Sequence, residues 1–480
     1  MNNKTNRRSF IKKTAGAALG FTIVPRHVLG QGMTAPSDQL NVAVIGGGGK
    51  GYTDALNAWN NGASRISAIC DVDFNMAERA FEKFPNAKKY KDWRKVLDEM
   101  QDIDALTIST PDHTHAVIAN AAMKLGKHVY VQKPLTHSIH EARVLTESAE
   151  KHKIVTQMGN QGASGPGVKK MIEWFDAGII GTVDEVHVWT NRPVWPQGIK
   201  SPTEFPKMMD GLDWDSFIGP ASMVDYHPLY HPFKWRGWWN FGTGALGDMA
   251  CHLIDPPFRV LGLGYPTEVE SSVGALYSQD WVPDYLPESC PPSSRTQLKF
   301  PASDKNPSDV KMSWTDGGLR PFRPDLIPAD HDIGDRGSSN GVIMIGTKGI
   351  MTCGTYAENP KIYLNDGTMM EFDTDALEEA PNALPENGHA AAWVDACKAG
   401  HGSAEHKALT SSFDFAGPLT ESILMGNLAI RSFNVREKNG NRFNYPGRKK
   451  LLWDGPNMKI TNFDPANQFV KREYREGWSL

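Results

Sequence analysis

The chain has 480 residues, 40% of them hydrophobic and 22% charged, with a formal net charge of −4. This is a globular composition, long enough for two domains, and its slightly acidic balance gives no footing for nucleic acid or an anionic membrane surface as a partner. Cys70, Cys251, Cys290, Cys353 and Cys397 are scattered with no CxxC spacing, which argues against a disulfide framework and a zinc site alike.

In chain order, the first thirty residues stand outside the fold. Asn6-Arg7-Arg8-Ser9-Phe10-Ile11-Lys12 places paired arginines ahead of a modest apolar run over 15–24. The pattern reads as a twin-arginine export signal over 1–30, an address and not an anchor, and points to the periplasm. A basic tail is the bland alternative. The run is too short to span a bilayer, and nothing later approaches a span.

Val42-Ala43-Val44-Ile45 has the apolar, mostly β-branched texture of a buried parallel strand. It ends in Gly46-x-Gly48-x-x-Gly51, ahead of a predicted helix over 52–59. In a dinucleotide-binding loop Gly46 makes the tight turn, Gly48 lets backbone approach a pyrophosphate, and Gly51 lets helix and strand pack closely. The helix start then offers free N–H groups and a positive dipole end to the phosphates. The next apolar run, over 65–70, ends in Asp71, twenty residues after Gly51, where a carboxylate accepts hydrogen bonds from an adenosine ribose. The carboxylate favours NAD over NADP, because it would repel a 2′-phosphate. The competing reading is a glycine-rich turn in an ordinary α/β domain.

Helices are predicted over 75–83 and 92–100, then a strand over 103–109 running into Thr110-Pro111-Asp112-His113-Thr114-His115. A helix over 116–125 stops at Gly126, a strand over 128–131 delivers Gln132-Lys133-Pro134, and a helix over 140–151 leads to a strand at 154–158 ahead of Gly159-Asn160-Gln161. This alternation predicts an α/β fold, with a doubly wound parallel Rossmann sheet over 38–164. Ligands of such a sheet lie outside the carboxyl ends of its strands, so Thr110, His115, Lys133 and Asn160 share the ligand edge.

Beyond 165 the texture changes. A helix over 168–177 precedes strand-like runs at 183–190, 268–277, 296–300, 310–314, 341–345, 350–354 and 361–364. They predict a C-terminal α/β domain over 165–445 with a large, open, mainly antiparallel or mixed sheet. Loops are expected at 279–294 and 375–386, helices at 390–399 and 411–433, and a C-terminal tail over 446–480.

Three constellations carry chemistry. Lys133 at a strand end, braced by Pro134, can hold an ammonium beside a nicotinamide and stabilise an alkoxide as hydride leaves; a surface lysine is the alternative. Asp248 and His252, four apart on a predicted helix, share one face, so the carboxylate would orient the imidazole and favour its protonated form. A capping Asp with a core His, or a metal site including Asp255, competes with that reading, and no metal is expected. Lastly, His227 to Trp239 interleaves aromatic residues with His and Arg, the mixture a sugar site uses, or else a tryptophan-rich core strut.

Together these motifs resemble the Gfo/Idh/MocA oxidoreductase superfamily, from Leu40 to about Tyr445. The likeness rests on the GxGxxG with Asp71, Thr110-Pro111-x-x-x-His115, Lys133-Pro134 and Gly-x-Leu-x-Asp248-x-x-x-His252. It implies Lys133, Asp248 and His252 as the catalytic set, with Trp235 and Arg236 beside the nicotinamide or substrate. Gly46, Gly48, Gly51, Asp71, Thr110, Pro111, His115, Gln132, Lys133 and Asn160 fall to cofactor binding. Asn191, Arg192, Trp195, His231 and Trp238 join Lys133 and His252 around the substrate. A homo-oligomer, dimer or tetramer, is also implied. The usual Glu-Lys-Pro reads Gln132-Lys133-Pro134 here, so a negative charge beside the lysine is missing.

The expected function is NAD-dependent oxidation of a secondary hydroxyl of a pyranose or glycoside, with C3 the attractive position. Because an exported enzyme meets no free nicotinamide pool, the cofactor should be tightly held. The superfamily also holds glycosidases that keep NAD bound and cleave by transient oxidation and elimination, with a C2 base expected near Tyr226 to His231. A sugar-binding protein that keeps the nucleotide as structure is the third reading.

Overall fold

The structure, a computed structural model, describes residues 39–374, 386–440 and 442–480. The export signal expected over 1–30 lies outside these residues, as does nearly all of the loop expected over 375–386.

Strands β1 (Leu40–Ile45), β2 (Ser64–Cys70), β3 (Lys88–Tyr90), β4 (Ala105–Ile108), β5 (His128–Val131) and β6 (Thr156–Met158) form one sheet, in the order β3-β2-β1-β4-β5-β6. Every pair in it is parallel. The strand order reverses between β1 and β4, which opens a crevice at their carboxyl ends. Helices α1 (Lys50–Trp59), α2 (Glu78–Lys83), α3 (Trp93–Glu99), α4 (Asp112–Lys124) and α5 (Ile139–His152) connect these strands. Caps set two of the boundaries. The Asp92 side chain accepts from the Arg94 N–H at the start of α3, and Ser138 and Glu141 close a capping box on α5.

Two expected helix starts in this unit move by three residues or more. α2 begins three residues later than 75, because the Asp73 carboxylate accepts from the Asn75 N–H at 3.0 Å and holds a turn there. α4 begins at Asp112 and not at 116, with Pro111 extended as its N-cap (ψ 151°). His113, Thr114 and His115, polar enough to read as loop, are therefore buried helical residues.

The second unit runs through α6 (Pro166–Asp176), β7 (Val183–Trp189), α7 (Trp214–Ile218), α8 (Gly244–Leu253), α9 (Asp255–Val260), β8 (Glu268–Val273), β9 (Ser294–Phe300), β10 (Val310–Thr315), β11 (Gly341–Gly346), β12 (Gly349–Cys353), β13 (Lys361–Leu364) and β14 (Met369–Glu371). It continues with α10 (Glu386–Ala399), α11 (Ala404–Lys407), α12 (Phe413–Phe433), a small hairpin of β15 (Glu437–Asn439) and β16 (Arg442–Asn444), β17 (Leu451–Asp454) and β18 (Lys459–Ile460). Ten strands form one mixed sheet, β14-β13-β12-β11-β7-β10-β9-β8-β17-β18. β7 and β10 pair parallel, while β7 with β11 and β9 with β8 and β10 pair antiparallel. The fold is thus an α/β protein with an N-terminal parallel sheet and a C-terminal α/β unit around a large mixed sheet.

Late segments return to the first unit. On α10, Trp393 and Val394 share a core cluster with Val42, Val44 and Tyr130 of the parallel sheet. The stretch expected as a tail is folded into the body: β17 pairs with β8, and Arg472 Nε and Tyr474 OH each donate to Glu141 Oε1 at 2.8 Å. Glu141 is fully buried on α5. No helix among the described residues is long and apolar enough to cross a membrane.

Candidate active site

A cleft of about 580 Å³ opens at the carboxyl edge of the parallel sheet and continues to α8. At one end, Gly46 takes φ +84°, and a Cβ there would come within 2.7 Å of the Ser109 carbonyl oxygen. A Cβ on Gly51 would collide with the Gly46 carbonyl oxygen, which is the close helix–strand packing the motif demands. Gly48 differs from expectation: its Cβ would come within 2.8 Å of Met76 Cβ, so here the glycine also makes room for the chain's own loop. The first turn of α1 has no side-chain cap, and its N-cap Gly49 faces open space. An uncapped helix start behind a glycine loop fits a dinucleotide pyrophosphate.

Asp71 is half-buried at the next strand end. Its two oxygens accept from the Gly48 N–H (2.9 Å) and the Asp73 N–H (2.9 Å). Burial pushes its carboxyl up to about 6, against the pull of those backbone N–H groups. Thr110 and Pro111 line the cleft. His115 does not; its ring nitrogens meet the Pro134 (2.9 Å) and Thr110 (2.8 Å) carbonyl oxygens and tie the β4 and β5 strand ends together. Asn160 also sits behind the cleft, donating to Asp255 Oδ2 at 3.2 Å, and Asp255 pairs with Arg259.

Lys133 and Asp248 meet. Lys133 Nζ donates to the Asp248 carbonyl oxygen (2.8 Å) and to Asp248 Oδ1 (2.9 Å), and Arg236 Nε reaches the same Oδ1 at 3.3 Å. Burial alone would raise the Asp248 carboxyl, but the Lys133 and Arg236 cations overcome it and hold it at about 2. An ammonium has three N–H donors, so one on Lys133 remains for a substrate oxygen. Trp235 lines the cleft with the Arg236 guanidinium 4.2 Å over its ring.

His252 lines the cleft one turn beyond Asp248 on α8, but the expected Asp–His bond does not form. Asp248 is spent on Lys133 and Arg236, and His252 Nδ1 is buried without a partner. Burial and then the nearby Lys133 charge hold its imidazole well below the usual histidine range, so the ring is neutral, contrary to the protonated form expected from the i, i+4 spacing.

Gln132 has a physical reason to be an amide. Its Nε2 donates to Asp54 Oδ2 at 2.8 Å, and Ser109 Oγ donates to the same oxygen at 2.7 Å. Lys50 Nζ lies 3.1 Å from Asp54 Oδ1. Asp54 is 2% exposed, so a glutamate at 132 would press a second buried carboxylate against it. A negative charge is thus retained beside the strand end that carries Lys133, on α1 instead of at 132.

The remaining predicted substrate residues divide. Arg192 and His231 line the cleft; His231 Nε2 sits 2.9 Å from Asp73 Oδ2, which links the second unit to the ribose-side loop. Asn191 is exposed and holds the Arg192 guanidinium through its Oδ1. Trp195 stands behind the cleft, with its Nε1 donating to Gln197 Oε1 (3.0 Å) and Phe233 edge-on to its ring. Trp238 is a core residue whose Nε1 donates to the Leu229 carbonyl. Sequence reasoning missed Lys50, Asp54 and Tyr356. The Lys50–Asp54 i, i+4 spacing was available as a signal. Tyr356 had none: it lines the cleft at φ +64°, its ring edge-on to His252 at 4.7 Å.

All five cysteines are buried and free. Among the described residues no group of three or more His, Cys, Asp or Glu side chains could hold a metal ion.

Comparison with known proteins places this arrangement. The Gfo/Idh/MocA family profile described as oxidoreductase family, NAD-binding Rossmann fold, matches residues 40–160. The companion profile, oxidoreductase family, C-terminal alpha/beta domain, matches 168–280. The chain is 28% identical over 280 residues to levoglucosan dehydrogenase of Pseudarthrobacter phenanthrenivorans, across 56% of this chain and 62% of that protein. It is 28% identical over 171 residues to glycosyl hydrolase family 109 protein 1 of Shewanella sp., across 30% of this chain and 37% of that one. The chain thus spans less than two thirds of either relative. In fold it is similar to an inositol dehydrogenase homolog from Azotobacter vinelandii, solved with NADH and myo-inositol (TM-score 0.56, 15% identity, 80% of this chain and 93% of that one). With both profiles matched in order over an observed parallel dinucleotide sheet and its α/β partner, the chain belongs to the Gfo/Idh/MocA oxidoreductase family and carries its NAD-binding Rossmann fold.

Proposed function

We propose that this protein is an exported, NAD-dependent oxidoreductase that oxidises a secondary hydroxyl, C3 by preference, of a pyranose sugar or glycoside. The observation that carries the reading is a single cleft running from the glycine loop to Lys133, with Lys133 pinned by Asp248 and a neutral His252 beside it. Gly46, Gly48 and Gly51 with the start of α1 hold the pyrophosphate, and Asp71 faces the ribose. Bound NAD⁺ supplies the hydride acceptor. His252, neutral at working pH, takes the hydroxyl proton. The remaining Lys133 N–H bonds the same oxygen and stabilises its developing negative charge, while Asp248 and Arg236 fix where that N–H points. Trp235 backs the Arg236 guanidinium in the cleft wall, and Arg192 offers a polar group to the sugar hydroxyls.

Similarity to levoglucosan dehydrogenase supports a sugar substrate. The C3 preference rests on chemistry: a 3-keto group acidifies the adjacent C–H and prepares a glycosidic bond for elimination. Export rests on Arg7-Arg8-Ser9-Phe10-Ile11-Lys12, and a tightly held cofactor follows from export. Assembly as a dimer or tetramer belongs to the same reading and is checked by light scattering. To test the activity, purified protein is given an artificial electron acceptor and a panel of levoglucosan, inositols and disaccharides, while the bound nicotinamide and the acceptor are followed by absorbance. Lys133→Met is expected to lower kcat roughly 100-fold or more with the cofactor still bound; a variant within a few fold of the wild type would sink the assignment.

A second reading, redox-neutral glycoside cleavage, is favoured by one observation and one likeness. Tyr356 stands in the cleft against His252, where a base for the C2 proton would act, and the chain resembles a glycosyl hydrolase family 109 protein.

A further inference from the structure

A second cavity, of about 680 Å³, shares none of its lining with the catalytic cleft. The aromatic segment read from the sequence as one sugar site is in fact split. Phe233, Trp235 and Arg236 face the cleft, whereas Tyr230, Trp238 and Trp239 line the second cavity.

Arg431, from the last turn of α12, enters this cavity between the Trp239 and Phe469 rings, with its guanidinium carbon 5.6 and 4.3 Å from their centroids. Among the described residues its guanidinium makes no ion pair and no hydrogen bond. Asp225, Glu288 and Glu473 line the same cavity but do not pair with it. The neighbouring Arg472 is already taken by Glu141. Burial pulls the Arg431 guanidinium down to about 10, and no carboxylate offsets this. A half-buried cation without a counter-charge is a ready partner for an anion that reaches it.

A narrow recess opens off the cavity and shares Arg431, His137, Trp239 and Phe469 with it. Two further polar atoms are orphaned there, His137 Nε2 and Asn427 Oδ1, both buried without a partner. Asn427 is 6% exposed, and its amide donates only to the Thr243 carbonyl. Buried polar atoms are almost always satisfied, so these two, beside a half-buried guanidinium that pairs with nothing, mark a missing ligand. We propose that this cavity is a second binding site, for a sugar acid, whose carboxylate pairs with Arg431 while its ring packs on Trp239. Flat aromatic faces with a guanidinium at one end suit a carboxylate carried on a pyranose.

The test titrates the full-length protein with D-glucuronate, D-glucose and inorganic phosphate, read by tryptophan fluorescence and calorimetry. Glucuronate is expected to saturate and to bind roughly 10- to 100-fold more tightly than glucose or phosphate. Lys133→Met, which disables the other cleft, should leave that binding intact, whereas Arg431→Gln should remove the preference. Equal affinity for the three probes, or glucuronate binding that is lost with Lys133 and kept without Arg431, overturns the proposal. Arg431→Met guards against a folding artefact: a ligand-holding arginine predicts an unliganded melting temperature equal to or above the wild type. A drop of more than about 5 °C, or failure to fold, would assign the guanidinium to structure and overturn the proposal as well.

Discussion

Asp248 decides the electrostatics of the cleft, because two cations compete for its carboxylate and the imidazole gets none of it. His252 is consequently neutral, and a neutral base stays competent as pH falls through the ordinary histidine range. The pH profile of kcat/KM should therefore show no acid limb near about pH 6.5, its fall coming only lower. A limb at or above that value would restore the Asp–His pairing read from the sequence. The Gln132–Asp54 contact makes a second prediction. Asp54 is already raised by burial, so Gln132→Glu places two carboxylates within hydrogen-bonding distance. Near about pH 8 both must be charged or one must be held protonated, and the variant should lose about 2 kcal/mol or more of stability. Near about pH 5 one shared proton relieves the repulsion, so the deficit should shrink, and thermal melts at the two pH values check the sign. The Lys133, Asp248 and glycine positions were legible because their spacing is local. The partner each side chain chooses was not, since Lys133 and Asp248 are 115 residues apart.

At the scale of elements, the loop after β12 is bent for a reason that lies elsewhere in the chain. Tyr356 and Ala357 both take positive φ (64° and 60°), a conformation costly for residues with a Cβ. Gly162 and Gly167 make room for it: a Cβ on Gly162 would lie 2.6 Å from Tyr356 Cα, and one on Gly167 would strike the Ala357 carbonyl oxygen. Gly162→Ala should displace Tyr356 from His252 and lower kcat by roughly tenfold, with about 1–3 kcal/mol of lost stability. Unchanged kcat would mean that the tyrosine is mere packing. The strands and most helices were readable from period and caps. α4 was cut short because His113, Thr114 and His115 look like loop. Their polarity is absorbed inside the protein, His113 by the Phe217 and Phe241 carbonyls and His115 by those of Pro134 and Thr110. No local pattern reveals such partners.

Across the whole molecule, residues far apart in sequence are stitched together, both between the two units and within the second. The C-terminal Arg472 and Tyr474 satisfy Glu141 on α5, Arg475 pairs with Asp215, and Trp478 packs on Trp93. Deleting 471–480 would leave a fully buried carboxylate with two backbone donors and no cation. It should cost about 3 kcal/mol or more, seen as a lower thermal midpoint; an unchanged midpoint would show that the stretch is dispensable. The same return of late segments explains why a tail was expected there: its sequence is short, polar and without period, and it finds its structure only against elements already folded.

The proposed net oxidation by Lys133 and His252 at the cleft has one direct test. The measurement incubates the purified protein with a simple disaccharide and no added nicotinamide, following the sugar by mass spectrometry. A keto-disaccharide two hydrogens lighter, held to one per active site until an electron acceptor is supplied, is the predicted result. Free monosaccharides accumulating without an acceptor would contradict it and establish redox-neutral cleavage instead.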